Sequence, residues 1–342
     1  MAEQNSHYEI EGVRNPLIKF ANGRTVGTSG DAHLGRKYVN GVPFDKDGEI
    51  EKLQRKAFEE TIDVDCDVMV QMGDIFDKFL VDNLVVLYVL AILLAVQSKH
   101  KKRILVLIRG NHDDHKDVDK VSSFDVLVAL LKPYQESHRI YVVEDRLVYE
   151  DLLFCGWSPV KNSVEVLEGV GKEAKFAAVF GHWDINIPSH VSTFNLVPTE
   201  VLKQHTDLIV TGHDHKPGVL ERDGITIVKT GSVIPLAHGE ELEDDELIYT
   251  IKLEDYDPEV HQNKIVRFIL DEDEEVPEGE FLQVKVIPKV KKEAETESET
   301  EIEKVDGSLD LPDLLSSFLT KNGVNDTLAA TVVERFKASN AE

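Results

Sequence analysis

Cysteine is nearly missing from this chain, with only Cys66 and Cys155 among 342 residues. Both lie in apolar, strand-like stretches and read as inert core thiols. Neither a disulfide framework nor an all-sulfur metal site can be built from them, and a reducing cytoplasm fits. Basic residues are also scarce, with 38 Lys+Arg against 64 Asp+Glu and a formal net charge of -26. That balance argues against a protein that holds nucleic acid by bulk electrostatics alone, because phosphate backbones select basic surfaces. Long apolar runs are absent as well. The longest, Leu84–Val96, falls short of the roughly 20 residues a membrane helix needs. Met1 to Asn15 is polar and lacks the apolar stretch of a secretory signal, so no membrane attachment or export is expected.

The pattern that is present is a layered α/β domain reaching to about residue 255. Strand-like segments are Thr25–Ser29, Asp65–Gln71, Arg103–Ile108, Arg139–Val143, Val148–Cys155, Phe176–Phe180, Leu208–Val210 and Ile225–Lys229. Glu49–Ile62, Asp82–Ser98 and Phe124–Leu131 read as helices. The second of these opens on Asp82-Asn83, a start signal, and closes on Lys99, Lys101, Lys102 and Arg103 near its negative end. It is apolar enough to be buried on most sides, by the sheet, a partner subunit, or both. After 255 the acidic residues concentrate. Residues 256–290 read as a small β-rich region with strands near Val266–Leu270 and Phe281–Ile287. A Glu-rich linker at 291–307 has almost no large apolar residues. In 308–342, Leu311, Leu314, Leu315, Phe318 and Leu319, then Leu328, Val332, Val333 and Phe336, fall at helical spacing. Such a helical hairpin on a tether suits docking to a partner, and folding back onto its own domain fits equally well.

Ligand-type residues recur at five strand ends: Asp31-x-His33, Gly73-Asp74-x-x-Asp77, Gly110-Asn111-His112-Asp113, Gly181-His182 and Gly212-His213-x-His215. In open α/β sheets that edge is where sites are built. Each motif alone could be an ordinary turn, since Gly, Asn and Asp are turn residues. All of them in order, each after a strand, point to one centre. Oxygen donors mixed with imidazoles suit zinc, manganese or iron. One carboxylate shared by two ions would make a clamp for a phosphate.

This set of motifs resembles the calcineurin-like metallophosphoesterase superfamily over roughly residues 24 to 235. Asp31-Ala32-His33-Leu34-Gly35, Gly73-Asp74-Ile75-Phe76-Asp77, and Gly181-His182-Trp183 followed by Asp184 and Asn186 are similar to the SbcD-type nuclease branch. Within it, they look most like the recombination endonuclease subunit of tailed phages. The resemblance implies an α/β (α+β) fold: a two-sheet sandwich flanked by helices, with residues 1–255 as the phosphoesterase domain and 256–290 as a cap. It implies two divalent metal ions, manganese. Asp31, His33, Asp74 and His215 would hold one and Asp74, Asn111, His182 and His213 the other. His112 would position the phosphate or protonate the leaving oxygen, with Asp113 orienting it. Asp77 stands where some relatives carry His and is expected behind the metals or facing substrate. Ser232, in Thr230-Gly231-Ser232, is expected to touch substrate phosphate. The residues ahead of Thr25 have no counterpart at the family's usual start.

The function so implied is a metal-dependent DNA exonuclease and single-strand endonuclease acting in double-strand-break processing and recombination. Its partners would be DNA, a second copy of the chain meeting through the Leu84–Val96 helix, and an SbcC-type SMC-like coiled-coil ATPase gripped by the C-terminal helices. The setting would be cytoplasm, that of the host for a phage protein. The same motifs are compatible with hydrolysis of small phosphodiesters such as cyclic nucleotides, or of phosphoproteins. A non-catalytic scaffold is disfavoured because no ligand position is lost.

Overall fold

Val68–Gln71 and Ile104–Ile108 are buried at every position, because both faces of their sheet are covered. In the computed structural model, which describes residues 7–115, 120–171, 173–185 and 195–289, they are the middle of a six-stranded sheet. Its order is β1 (Tyr8–Glu11), β2 (Leu17–Phe20), β3 (Thr25–Ser29), β4 (Val68–Gln71), β5 (Ile104–Ile108) and β6 (Ile140–Val143). From β3 to β6 the pairing is parallel. The residues ahead of Thr25, hard to place from sequence, form the antiparallel β1–β2 hairpin that extends this sheet from β3.

A second six-stranded sheet faces the first. Its strands are β7 (Arg146–Tyr149), β8 (Leu152–Cys155), β9 (Ala178–Gly181), β12 (Leu208–Thr211), β13 (Gly218–Arg222) and β14 (Ile225–Lys229), in the order β13-β14-β12-β9-β8-β7. Between β9 and β12 lies a two-residue pair, β10 (Asp184–Ile185) and β11 (Leu196–Val197). The single strand expected over Val148–Cys155 is instead a hairpin. Arg146–Tyr149 pairs antiparallel with Leu152–Cys155, and Glu150 turns the chain with φ 53°. Alternation of exposure along β7 against full burial of β8 is the physical mark of an edge strand beside a central one.

The inner faces of the sheets meet in one apolar core, with Val26, Val70 and Val106 against Phe154, Phe180 and Val210. On the outer face of the first sheet lie three helices, α1 (Glu49–Ile62), α2 (Asn83–Lys99) and α3 (Ser123–Leu131), which bury Phe58, Val89, Leu93, Phe124 and Leu127 against Met69, Leu105 and Leu107. Short helices and Trp183 cover the outer face of the second. The result is the expected two-sheet α/β sandwich flanked by helices. Asp82 caps α2 by accepting from Leu84 N at 2.8 Å. At its other end, Gln97 and the buried Arg103 lock α2 to β5 and to the carbonyls of Ile62 and Val64.

A small parallel sheet, β15 (Ile248–Lys252), β16 (Ile265–Leu270) and β17 (Gln283–Pro288), begins ahead of residue 255. It packs on Tyr38 and Ile50 and receives the Asn40–Gly41 loop through Gln283 and Val284. The expected linker at 291–307 and helical tail at 308–342 lie outside the described residues, as does Asn186. Among the described residues no helix is long and apolar enough to cross a membrane.

Candidate metal centre

Parallel strands set their C-terminal ends along one edge, and β3, β4, β5, β9 and β12 each run straight into one of the five motifs. Three overlapping groups of side chains there bring ligand atoms within 4.8 Å of one another: Asp31, His33 and His215; His33, Asp74 and His112; Asp74, His182 and His213. Asp74 Oδ1 accepts from the backbone N–H of His112 at 2.8 Å. Its other oxygen, Oδ2, lies 3.6 Å from His33 Nε2 and 3.3 Å from His182 Nε2. Asn111 Oδ1 is 2.9 Å from that same His182 nitrogen. His33 Nε2 and His215 Nε2 approach to 3.0 Å, with Asp31 Oδ2 3.6 Å from the latter.

Three of these residues hold left-handed backbone: His33 at φ 45°, Asp74 at 50° and His213 at 74°. Such conformations cost of order 1–3 kcal/mol each and persist where their surroundings impose them. Here the bracing is visible. The N–H groups of Ala32 and His33 both bond the Asp74 carbonyl, and the His213 N–H bonds Asp31 Oδ2 at 3.0 Å. The buried amides of Gln54 and Gln71 hold the carbonyls of Ala32, His33 and Gly73. Gly73, at φ 106°, admits no side chain, since a Cβ would overlap the His182 ring. At Gly110 a Cβ would overlap Asp74.

The donor chemistry fits cations. His182 Nδ1 is 2.9 Å from the Met72 carbonyl, which can only accept, so Nδ1 carries the hydrogen. Its Nε2 faces two oxygens, Asp74 Oδ2 and Asn111 Oδ1, so imidazole, carboxylate and amide oxygen converge in a donor set suited to a cation. Asp31 Oδ1 is buried with no hydrogen-bond partner. Burial, with the charge of Asp74 beside it, pushes the Asp31 carboxyl well above its usual range. Burial would raise Asp74 too, but His182, 3.3 Å from its Oδ2, holds it well below the usual range. His33 is lowered to about 3 by burial, so at neutral pH its ring is uncharged and able to ligate. Burial would lower His213, yet the Asp184 carboxylate 3.5 Å from its Nε2 raises it.

A model of the calcineurin-like phosphoesterases matches residues 25–217, more than half of the chain. This chain belongs to that family. The family's members are metal-dependent phosphoester hydrolases, and the Asp/His groups at the strand ends can bind divalent metal. A search of the curated proteins returns no match. The family span begins at Thr25 and ends at Pro217, so the β1–β2 hairpin, Ser232 and everything after it lie outside it.

Several side chains sit differently from expectation. Asp113 does not hold His112. It is fully buried, and its oxygens accept from the backbone N–H groups of Gly110, Ile75 and Phe76. His112 is held instead through Nδ1, 2.6 Å from the Asp77 carbonyl. The Asp77 carboxylate lies 3.7 Å from His33 Nδ1, the ring nitrogen that does not face Asp74. Ser232 is fully buried, its hydroxyl donates to Ile234 O at 2.6 Å, and its backbone bridges to Asp31 just past β3. Glu240 was missed. It meets His215 Nδ1 at 3.1 Å, yet in sequence it opens the run Glu240–Glu246, which looks like a solvated acidic tract.

Proposed function

We propose that this phosphoesterase is a manganese-dependent DNA nuclease, exonucleolytic on ends and endonucleolytic on single strands, working in double-strand-break processing with an SbcC-type coiled-coil ATPase. One observation carries it. The branch-like residues Leu34, Phe76 and Asp77 make a single interlock: Leu34 N bonds Ile75 O, Asp77 N bonds Leu34 O, and Leu34 and Phe76 form a bridge with both side chains buried. That interlock holds His33 on one side and, through the Asp77 carbonyl, His112 on the other. The residues on which the resemblance to the SbcD branch rests are thus those that shape its centre.

Asp31, His33, Asp74 and His215 would hold one ion and Asp74, Asn111, His182 and His213 a second, with Asp74 shared. When bound, such a pair supplies Lewis acidity toward a phosphoryl oxygen and brings the pKa of a water near neutrality. His112 is exposed, and its Nδ1–H is spent on Asp77 O. Nε2 is therefore the His112 atom left to face the departing oxygen.

The chain's own basic segment contributes little to DNA binding at this site. Lys99 and His100 pair with Asp63, and Arg103 is buried. The segment also precedes β5, whereas the Gly110 motif follows it, so the two sit at opposite ends of that strand. A basic partner therefore suits the acidic chain. We propose a homodimer through α2, on which Leu84 and Leu87 are 73% and 50% exposed. Cys66 and Cys155 are free thiols, in keeping with a cytoplasmic setting, that of the host for a phage protein.

The deciding experiment is cleavage of linear double-stranded and single-stranded DNA in manganese, with and without a coiled-coil ATPase, beside a small phosphodiester. DNA cleavage lost in Asp74→Ala supports the nuclease. Turnover of the small phosphodiester alone would move the substrate to small phosphodiesters such as cyclic nucleotides.

A further inference from the structure

His215 is the most exposed of the residues grouped around Asp31, with a quarter of its side chain open. Something must hold its ring in place. Its Nε2 faces His33 Nε2 and Asp31, and its Nδ1 lies 3.1 Å from Glu240 Oε1. A carboxylate can only accept, so Nδ1 carries the hydrogen and the lone pair stays on Nε2, toward the centre.

Glu240 is itself held at both ends. Oε2 accepts from the N–H groups of Leu236 and Ala237 at 2.8 and 3.1 Å, which fixes the carboxylate across its own loop. The Glu240 carbonyl accepts from Arg14 Nη2 at 2.9 Å. That guanidinium also bonds the Ser232 carbonyl at 2.9 Å and Asp245 Oδ2 at 2.8 Å. Ser232 N in turn bonds the His215 carbonyl at 3.2 Å. Arg14, in the β1–β2 turn, thus ties the loop behind His215 to the strand edge beside it.

We propose that Glu240 is a positioning residue for metal at the Asp31–His33–His215 group: it fixes the tautomer and direction of His215, and Arg14 fixes Glu240. The inference rests on the two-ion reading above. Both residues lie outside the family-matched span. Outer partners of ligating histidines generally set metal affinity by about 10–100-fold. The consequence is selective. One ion should be weakened and the other, held by Asn111, His182 and His213, should not.

The test is a manganese titration of the full chain, read from the signal of free Mn²⁺ by electron paramagnetic resonance. The parent is expected to take up two equivalents. Glu240→Ala should keep one at parental affinity and weaken the other by about 10–100-fold, as His215→Ala does. Glu240→Gln, which retains an oxygen able to accept from Nδ1–H, should recover most of the loss. In the metal-free protein, histidine side-chain ¹⁵N spectra should show His215 as the Nδ1–H tautomer in the parent and as a mixture in Glu240→Ala, a change that loosened packing elsewhere would not produce. Should Glu240→Ala fail to fold, Arg14→Ala is expected to weaken the same ion by a smaller factor. Two equivalents bound by a folded variant as tightly as by the parent, or both weakened alike, would overturn the proposal. A parent that binds no manganese would overturn the two-ion reading and this inference with it.

Discussion

The Nδ1 nitrogen of His112 lies 2.6 Å from the main-chain carbonyl oxygen of Asp77. A carbonyl cannot donate, so the tautomer of this histidine is set by the backbone of the strand-end turn that follows Asp74, and Nε2 is the atom left for chemistry. His112→Ser is therefore expected to lower phosphodiester cleavage by about 10²–10⁴-fold, the usual contribution of a positioned acid. Manganese uptake should remain at the parental stoichiometry. Steady-state kinetics and metal titration on the same preparation check both halves.

Asp113 should behave as a structural residue. Three buried N–H groups, of Gly110, Ile75 and Phe76, depend on its carboxylate. Leaving a buried donor unpaired costs about 1–3 kcal/mol. Asp113→Ala is expected to lose stability by about 3 kcal/mol or more in urea unfolding, and Asp113→Asn by less, because its amide oxygen still serves one or two donors. Unfolding curves identical to the parent's would show that these bonds do not hold the turn.

A pH effect on stability is expected from His238, whose Nδ1 is 3.1 Å from Thr250 Oγ1 and whose Nε2 is buried without a partner. Burial, then the charges of Arg267 and Lys285, lower it to about 4, against a smaller opposing pull from Glu241. The unfolded chain, near 6.5, therefore binds the proton more readily than the folded one. Its contribution is fully present above about 6.5 and is lost as pH falls toward about 4. The site is half-buried, so solvent reduces the effect to about 1 kcal/mol. His238→Asn should lose less stability than the parent between pH 7 and pH 4.5, and parallel losses would show that His238 is not the group responsible.

On α2, Leu84 and Leu87 are exposed while Val85, Val86, Val89 and Leu93 are buried. Replacing Leu84 and Leu87 together by Glu should convert a dimer into monomers in sedimentation velocity. The far-ultraviolet circular dichroism of the chain should hardly change, because neither side chain fills the core. A dimer that survives the double substitution would place the contact elsewhere.

Where chemistry and local pattern coincide, sequence is a good guide here. The five strand-end motifs converge on one edge because parallel strands put them there, and α1 and α2 begin and end within a residue of where periodicity and the Asp82 cap place them. Three kinds of feature escape such reading. The break at Glu150–Asp151 was hidden because the residues flanking it are as apolar as one continuous strand. The β1–β2 hairpin has short strands whose partners are set by the sheet edge they join. The roles of Asp113, Ser232 and Glu240 depend on which backbone or ring lies within 3 Å or so in the folded chain. An Asp next to a catalytic-type His looks like its orienting partner, and only the turn around Gly73–Phe76 explains why its oxygens go elsewhere.

Asp74 Oδ2 stands between His33 and His182, where the proposed two-ion centre would share it. Anomalous scattering from crystals grown in manganese tests it most directly. Two peaks about 3.5–4 Å apart on either side of Asp74 Oδ2 are expected, one beside Asp31, His33 and His215, the other beside Asn111, His182 and His213. A single peak, or peaks that leave Asp74 unshared, would contradict the two-ion centre.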